Sequence, residues 1–76
     1  MEKKVDEKFL RGLGFKFYKK YPHDQFITEE YIKGYIHVEL TFENGVQINH
    51  EVVIEEVSYE PISASELEII TPVLGK

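Results

Sequence analysis

The chain has 76 residues, 42% hydrophobic and 30% charged, with no cysteine and a formal net charge of -5. That length holds one small domain, and the missing cysteines exclude disulfides, thiolate nucleophiles and Cys-ligated zinc. No apolar run is long enough for a signal h-region or a membrane span, so a reducing, cytoplasmic setting is expected.

The charge is unevenly spread. Residues 1–20 hold seven Lys/Arg against three Asp/Glu, whereas residues 21–76 hold two against eleven. A fold that keeps these parts on different faces is an electrostatic dipole with a basic N-terminal end.

In chain order, Val5, Phe9, Leu10 and Leu13 recur at helical spacing among charges. They predict a helix over about residues 2–12, with Gly12 and Gly14 as stop signals. FKFYKKY then alternates Phe15, Phe17, Lys19 and Tyr21 against Lys16, Tyr18 and Lys20, the two-residue period of a strand. Its lysines suit a sheet edge, where they discourage pairing with another chain. YPHDQ is turn chemistry, with Pro22 fixing φ and Asp24 able to bond its own backbone. His23 reads there as a polar loop residue.

QFITEEYI and YIHVELTF read as strands over about 26–32 and 35–42, joined by Lys33-Gly34 as a two-residue hairpin loop. The alternative, one strand of about 17 residues bent at Gly34, is far longer than strands usually run. The third strand carries Ile36, Val38, Leu40 and Phe42 at even positions, and VQINHEVVI carries Val46, Ile48, Val52 and Ile54 at even positions. A two-residue Asn-Gly loop pairs even with odd and sets the two apolar faces on opposite sides. The expectation is therefore a three-residue loop, Glu43-Asn44-Gly45, with a G1 bulge at Gly45, pairing Phe42 with Val46 and Leu40 with Ile48.

That register places His50 inward, opposite Val38, as a neutral imidazole bonded to a backbone or hydroxyl group. Past Val57 the alternation drifts, and a bulge near Glu55-Glu56 is expected to repair it. Ser63 and Glu66 form a capping box, with Ile62 and Leu67 as a hydrophobic staple, so a helix starts at Ser63. Pro72 is expected to kink or end it near Ile70 or Thr71.

The assembled fold is α+β in two layers. An antiparallel meander of three or four strands carries the N-terminal and C-terminal helices on one face. The opposite face is left to Tyr18, Tyr35, His37, Glu39, Glu51, Val53 and Glu55, which form the candidate interaction surface. Exposed aromatics beside aliphatics suit a protein partner or a second copy of the chain. In the expected register His37 faces Glu51, and with a Lys33-Gly34 turn Glu30 flanks it on the other side. That set has the composition of a general acid/base or part of a metal triad, but such a site also needs a pocket and further ligands that the sequence does not name, so a solvated cross-strand charge pair is expected. Glu29-Glu30 and Glu55-Glu56 do not act as carboxylate dyads, because neighbours on a strand point to opposite faces.

Element order and length resemble the double-stranded-RNA-binding domains, which run helix, three strands, helix. Such domains place lysines at the start of the second helix to meet phosphates. This chain has ISASELEII there, with Glu66 and Glu68. Nucleic acid is therefore not an expected partner, even with Lys16, Lys19 and Lys20 clustered on one strand. The acidic residues Glu39, Glu43, Glu51, Glu55, Glu56 and Glu60 instead resemble the surface of small acidic inhibitors, such as some encoded by phages, that occupy the basic groove of a nucleic-acid-binding protein. No cofactor, small-molecule substrate or catalytic residue is expected.

Overall fold

The computed structural model describes residues 4–55, 57–59 and 62–75, with only the backbone described for 57–59. Its order is α1 (Glu7–Leu13), β1 (Lys16–His23), β2 (Phe26–Lys33), β3 (Ile36–Glu43), β4 (Val46–Ile54), β5 (Val57–Tyr59) and α2 (Ala64–Leu74). The strands form one antiparallel sheet in sequence order. The four-strand meander between two helices is as expected, and short β5 extends it. Val57 pairs with Ile54, so the drifting alternation marks a hairpin to another strand where a bulge was expected.

Helix α1 starts later than its apolar spacing suggests. The Asp6 carboxylate caps it by accepting from the Phe9 N–H at 2.9 Å, so Val5 stands before the helix yet is buried. The Gln47 amide donates to the Val5 carbonyl at 2.7 Å and ties that approach to β4. After Leu13, Gly14 takes φ 98°, and the Phe15 N–H reaches the Leu10 carbonyl at 2.9 Å while Gly14 bonds Arg11 at 3.1 Å. This is a Schellman ending, sealed by contact between two buried residues, Leu10 and Phe15.

Three turns differ from the expected ones. Pro22 and His23, expected in a turn, are the last residues of β1 and pair with Ile27 and Phe26, so that the first turn is Asp24-Gln25 alone. β2 and β3 are joined by Gly34-Tyr35, since Lys33 pairs with Ile36. The loop sits one residue later because its backbone serves the helices: the Tyr35 N–H donates to the Leu74 carbonyl at the end of α2, 3.1 Å away. The Lys33 side chain also runs across both helix ends. A methyl group on Gly14 would lie 3.3 Å from its Cε, and one on Gly75 3.2 Å from its Cγ. A cation so placed complements the partial negative charge at two helix C-termini.

Between β3 and β4 the two-residue Asn44-Gly45 loop prevails, with φ 53° and 80°, the two positive values of a type I′ turn. The parity conflict is real but is absorbed further along. Thr41 pairs with Asn49 and Phe42 with Gln47, leaving Ile48 as the extra residue of a bulge. Beyond it Leu40 meets His50, Val38 meets Val52 and Ile36 meets Ile54, two residues from the expected register. Val46 and Ile48 are consequently 62% and 50% exposed rather than in the core.

The core lies between one face of the sheet and the helices: Tyr31, Ile36, Val38, Leu40 and Val52 pack with Val5, Leu10, Phe15, Ala64 and Leu67. Ser63 caps α2 as expected, accepting from the Glu66 N–H at 3.2 Å while Glu66 reaches back to the Ser63 N–H. Pro72 does not end this helix. It falls in the last turn, where its missing N–H forfeits one bond, and the Thr71 hydroxyl bonded to the Leu67 carbonyl at 2.5 Å supports the same turn.

Candidate functional site

The sheet face opposite the helices is built from transverse rows that the register sets. One row runs Lys19, Glu30, Glu39, Glu51 across β1 to β4, each residue directly paired with the next. The adjacent row runs Lys16, Ile32, His37, Val53, and the row on the other side Tyr21, Thr28, Thr41, Asn49. Three glutamates therefore stand side by side on neighbouring strands, where like charges directly opposite destabilise a sheet.

His37 tempers this charge. Its Nδ1 lies 2.5 Å from the Glu30 carboxylate, reached diagonally because Ile32 is the residue directly opposite. Tyr18, displaced by a bulge between Phe17 and Lys19, packs edge-on to His37 with ring centroids 6.4 Å apart and is 59% exposed. The Glu39 carboxyl is raised above the ordinary glutamate range, first by burial and then by Glu51 and Glu30, with His37 opposing the shift. Burial, then Glu39, Glu30 and Glu51, likewise push the Tyr21 phenol up.

Of the expected surface, Tyr18, His37, Glu39, Glu51 and Val53 come together on this face. Tyr35 and Glu55 do not. Tyr35 lies in the β2–β3 loop and Glu55, at φ 52°, in the turn after β4, both at the same end of the sheet. The pairing of His37 with Glu51 is also corrected: the bulge at Ile48 sets Glu51 opposite Glu39 and Val53 opposite His37. Sequence reasoning missed Lys19 and Tyr21 as members of the face, and found Glu30 only through a turn one residue out of place. The paired apolar residues Phe26-Ile27 and Tyr31-Ile32 blur the period of β2, which is the signal that would have shown its face.

Glu29 and Glu30 do point to opposite faces, Glu29 accepting from the Tyr31 hydroxyl at 3.0 Å and Glu30 meeting His37. His50 is inward and half-buried, with its Nε2–H donated to the Ile62 carbonyl at 2.9 Å. Glu56 and Glu60 lie outside the described residues.

No group of three His, Asp or Glu among the described residues is arranged to hold a metal ion. No helix among them is long and apolar enough to cross a membrane. Comparison with protein-family models, with curated proteins and with solved structures finds no match to this chain. The likeness to double-stranded-RNA-binding domains does not extend to the full element order, since five strands rather than three stand between the two helices.

Proposed function

We propose that this protein is a cytoplasmic, non-enzymatic binding protein that presents its open sheet face to a basic protein partner. The observation that carries this reading is the row Glu30, Glu39, Glu51 on three adjacent strands of the sheet face opposite the core. Three neighbouring carboxylates burden the isolated fold, and guanidinium or ammonium groups of a partner relieve that burden on docking. Tyr18, Ile32 and Val53 beside the row supply apolar contact, the mixture found at protein interfaces. A second copy is a poor occupant of this face, because it brings its own carboxylates against these. The groove of a nucleic-acid-binding protein offers the complementary chemistry, and this chain then acts as its inhibitor or decoy.

The test is titration of the labelled protein with an oligo-arginine peptide, followed by amide shifts. Shifts concentrated on β2 to β4 at Glu30, Glu39 and Glu51, and lost in the double variant Glu39→Gln with Glu51→Gln, support the reading. Shifts spread evenly over every acidic residue, or unchanged in that variant, overturn it.

A further inference from the structure

We infer that Asn44 is a self-modifying site, at which the chain adds a carboxylate to its own β3–β4 turn without an enzyme. Asn44 and Gly45 are both exposed, and a methyl group built on Gly45 meets nothing within 4 Å. The hairpin closes through Glu43 and Val46, so the Gly45 N–H takes no part in the ladder. The side-chain amide of Asn44 and the backbone nitrogen of Gly45 are thus adjacent and open to water. In the reaction the Gly45 nitrogen attacks Asn44 Cγ. The bond from Cγ to Nδ2 breaks, the Gly45 amide proton leaves with Nδ2 as ammonia, and the new N–Cγ bond closes a five-membered succinimide. Water then opens the ring. Cleavage of the N–Cγ bond leaves aspartate, and cleavage of the bond from that nitrogen to the main-chain carbonyl leaves isoaspartate, in which the chain runs through the former side chain.

The geometry of the turn supports this site. The ring closes when Cβ and the Gly45 nitrogen eclipse each other about the Asn44 Cα–C bond. For an L residue that ψ is about -120°, the value at the first central position of a type II′ turn, where type I′ has about +30°. Both turns share a φ of about +60° at that position, and Asn44 already stands at φ 53°. Rotating the one peptide plane between Asn44 and Gly45 therefore reaches the reactive form with the strands still paired, and glycine lets its own φ pass from 80° to a negative value. Asn49, also exposed, lacks this route. It is paired with Thr41 inside β4, and the nitrogen next to it belongs to His50, whose side chain obstructs attack. The two products differ in what they do to the fold. Asp-Gly suits a type I′ turn as Asn-Gly does, so the aspartyl form keeps the register. The isoaspartyl form puts an extra carbon into the main chain of the two-residue loop, at the turn whose tightness sends the surplus residue to the bulge at Ile48.

The experiment is incubation of the full chain at mildly alkaline pH, followed by intact mass and peptide mapping, with the two products then separated and their amide spectra recorded. Replacement of an amide by a carboxylate is expected first at Asn44, ahead of Asn49, Gln25 and Gln47. Its rate is expected to rise with pH, because the attacking nitrogen must lose its proton. Asn44→Gly keeps a Gly-Gly pair that suits the same turn, and it is expected to slow the mass gain by about tenfold or more. The isoaspartyl product is expected to melt at a lower temperature and to shift the amides of Ile48 and Asn49 as well as those of the turn. A chain that keeps its mass, a gain that begins at another amide, or one that continues unslowed in Asn44→Gly overturns the site. Isoaspartyl shifts confined to residues 43–46 overturn its link to the register.

Discussion

Tyr31 carries a polar group into the core, and the fold supplies it with a charged acceptor. Its ring is buried, packs edge-on to Phe17 at 5.7 Å, and its hydroxyl donates to the Glu29 carboxylate at 3.0 Å. Burial, reinforced by that carboxylate, pushes the phenol up to about 12 from an ordinary 10. Below pH 10 folded and unfolded chains both keep the proton, and the contribution is fully present. As pH rises the unfolded chain releases it first, so stability is lost through the interval up to the folded value. Tyr31→Phe is expected to cost about 1.5 kcal/mol at neutral pH, the worth of a hydrogen bond to a charged group. The same change should flatten the alkaline limb of a urea-midpoint against pH curve; an unaltered limb places that titration elsewhere. At this scale the sequence is partly legible. The inward parity of His50 follows from alternation alone, and so does its need for a partner. That the partner is the Ile62 carbonyl depends on the path leading into α2, which no local pattern encodes.

The two ends of α2 differ in how far local chemistry decides them. Its start is decided by the capping box, in which side chain and backbone satisfy each other within four residues. Ser63→Ala is expected to cost about 1 kcal/mol, read as a lower denaturation midpoint at unchanged slope. A cost near zero shows that the staple of Ile62 and Leu67 holds the start unaided. Its end is decided from outside, by the Tyr35 N–H on Leu74 and the Lys33 stem across Gly75, and a breaker rule applied to Pro72 therefore stops the helix too early. The hairpins teach the same lesson. The parity of β3 and β4 correctly demands that one residue be absorbed between them, but a loop and a bulge satisfy that demand equally. The preference of Asn44-Gly45 for the type I′ turn moved the extra residue to Ile48, and with it moved every cross-strand partner of His37, Glu39 and Glu51.

For the whole molecule, the uneven charge visible along the chain resolves into a basic edge strand beside an acidic sheet centre. The glutamate row makes a prediction of unusual sign. The Debye length falls from about 30 Å at 0.01 M salt to about 3 Å at 1 M, which is shorter than the roughly 5 Å between neighbouring strands. Screening of this kind weakens attraction in ion pairs and repulsion in like pairs alike. The prominent ion pair of α1, Arg11 with Glu7 at 2.8 Å, is exposed on both sides and contributes little to stability. Repulsion of the half-buried Glu39 by Glu51 and Glu30 outweighs the opposing pull of His37 on it, so added salt is expected to raise the unfolding midpoint. Glu39→Gln removes the central charge from the row. It should stabilise the protein at neutral pH by about 0.2–1 kcal/mol and reduce the salt response. Because the folded Glu39 carboxyl is raised, its protonated form is favoured in the fold, and stability is lost as pH climbs through that raised value. The advantage of Glu39→Gln should accordingly shrink as pH is lowered into the ordinary glutamate range, where the native side chain becomes neutral as well. Thermal melts of both proteins over a grid of salt and pH measure all three effects. A native midpoint that falls with salt, or a gain in Glu39→Gln that persists at low pH, places the strain somewhere other than this row and removes the energetic reason for the face to seek a basic partner.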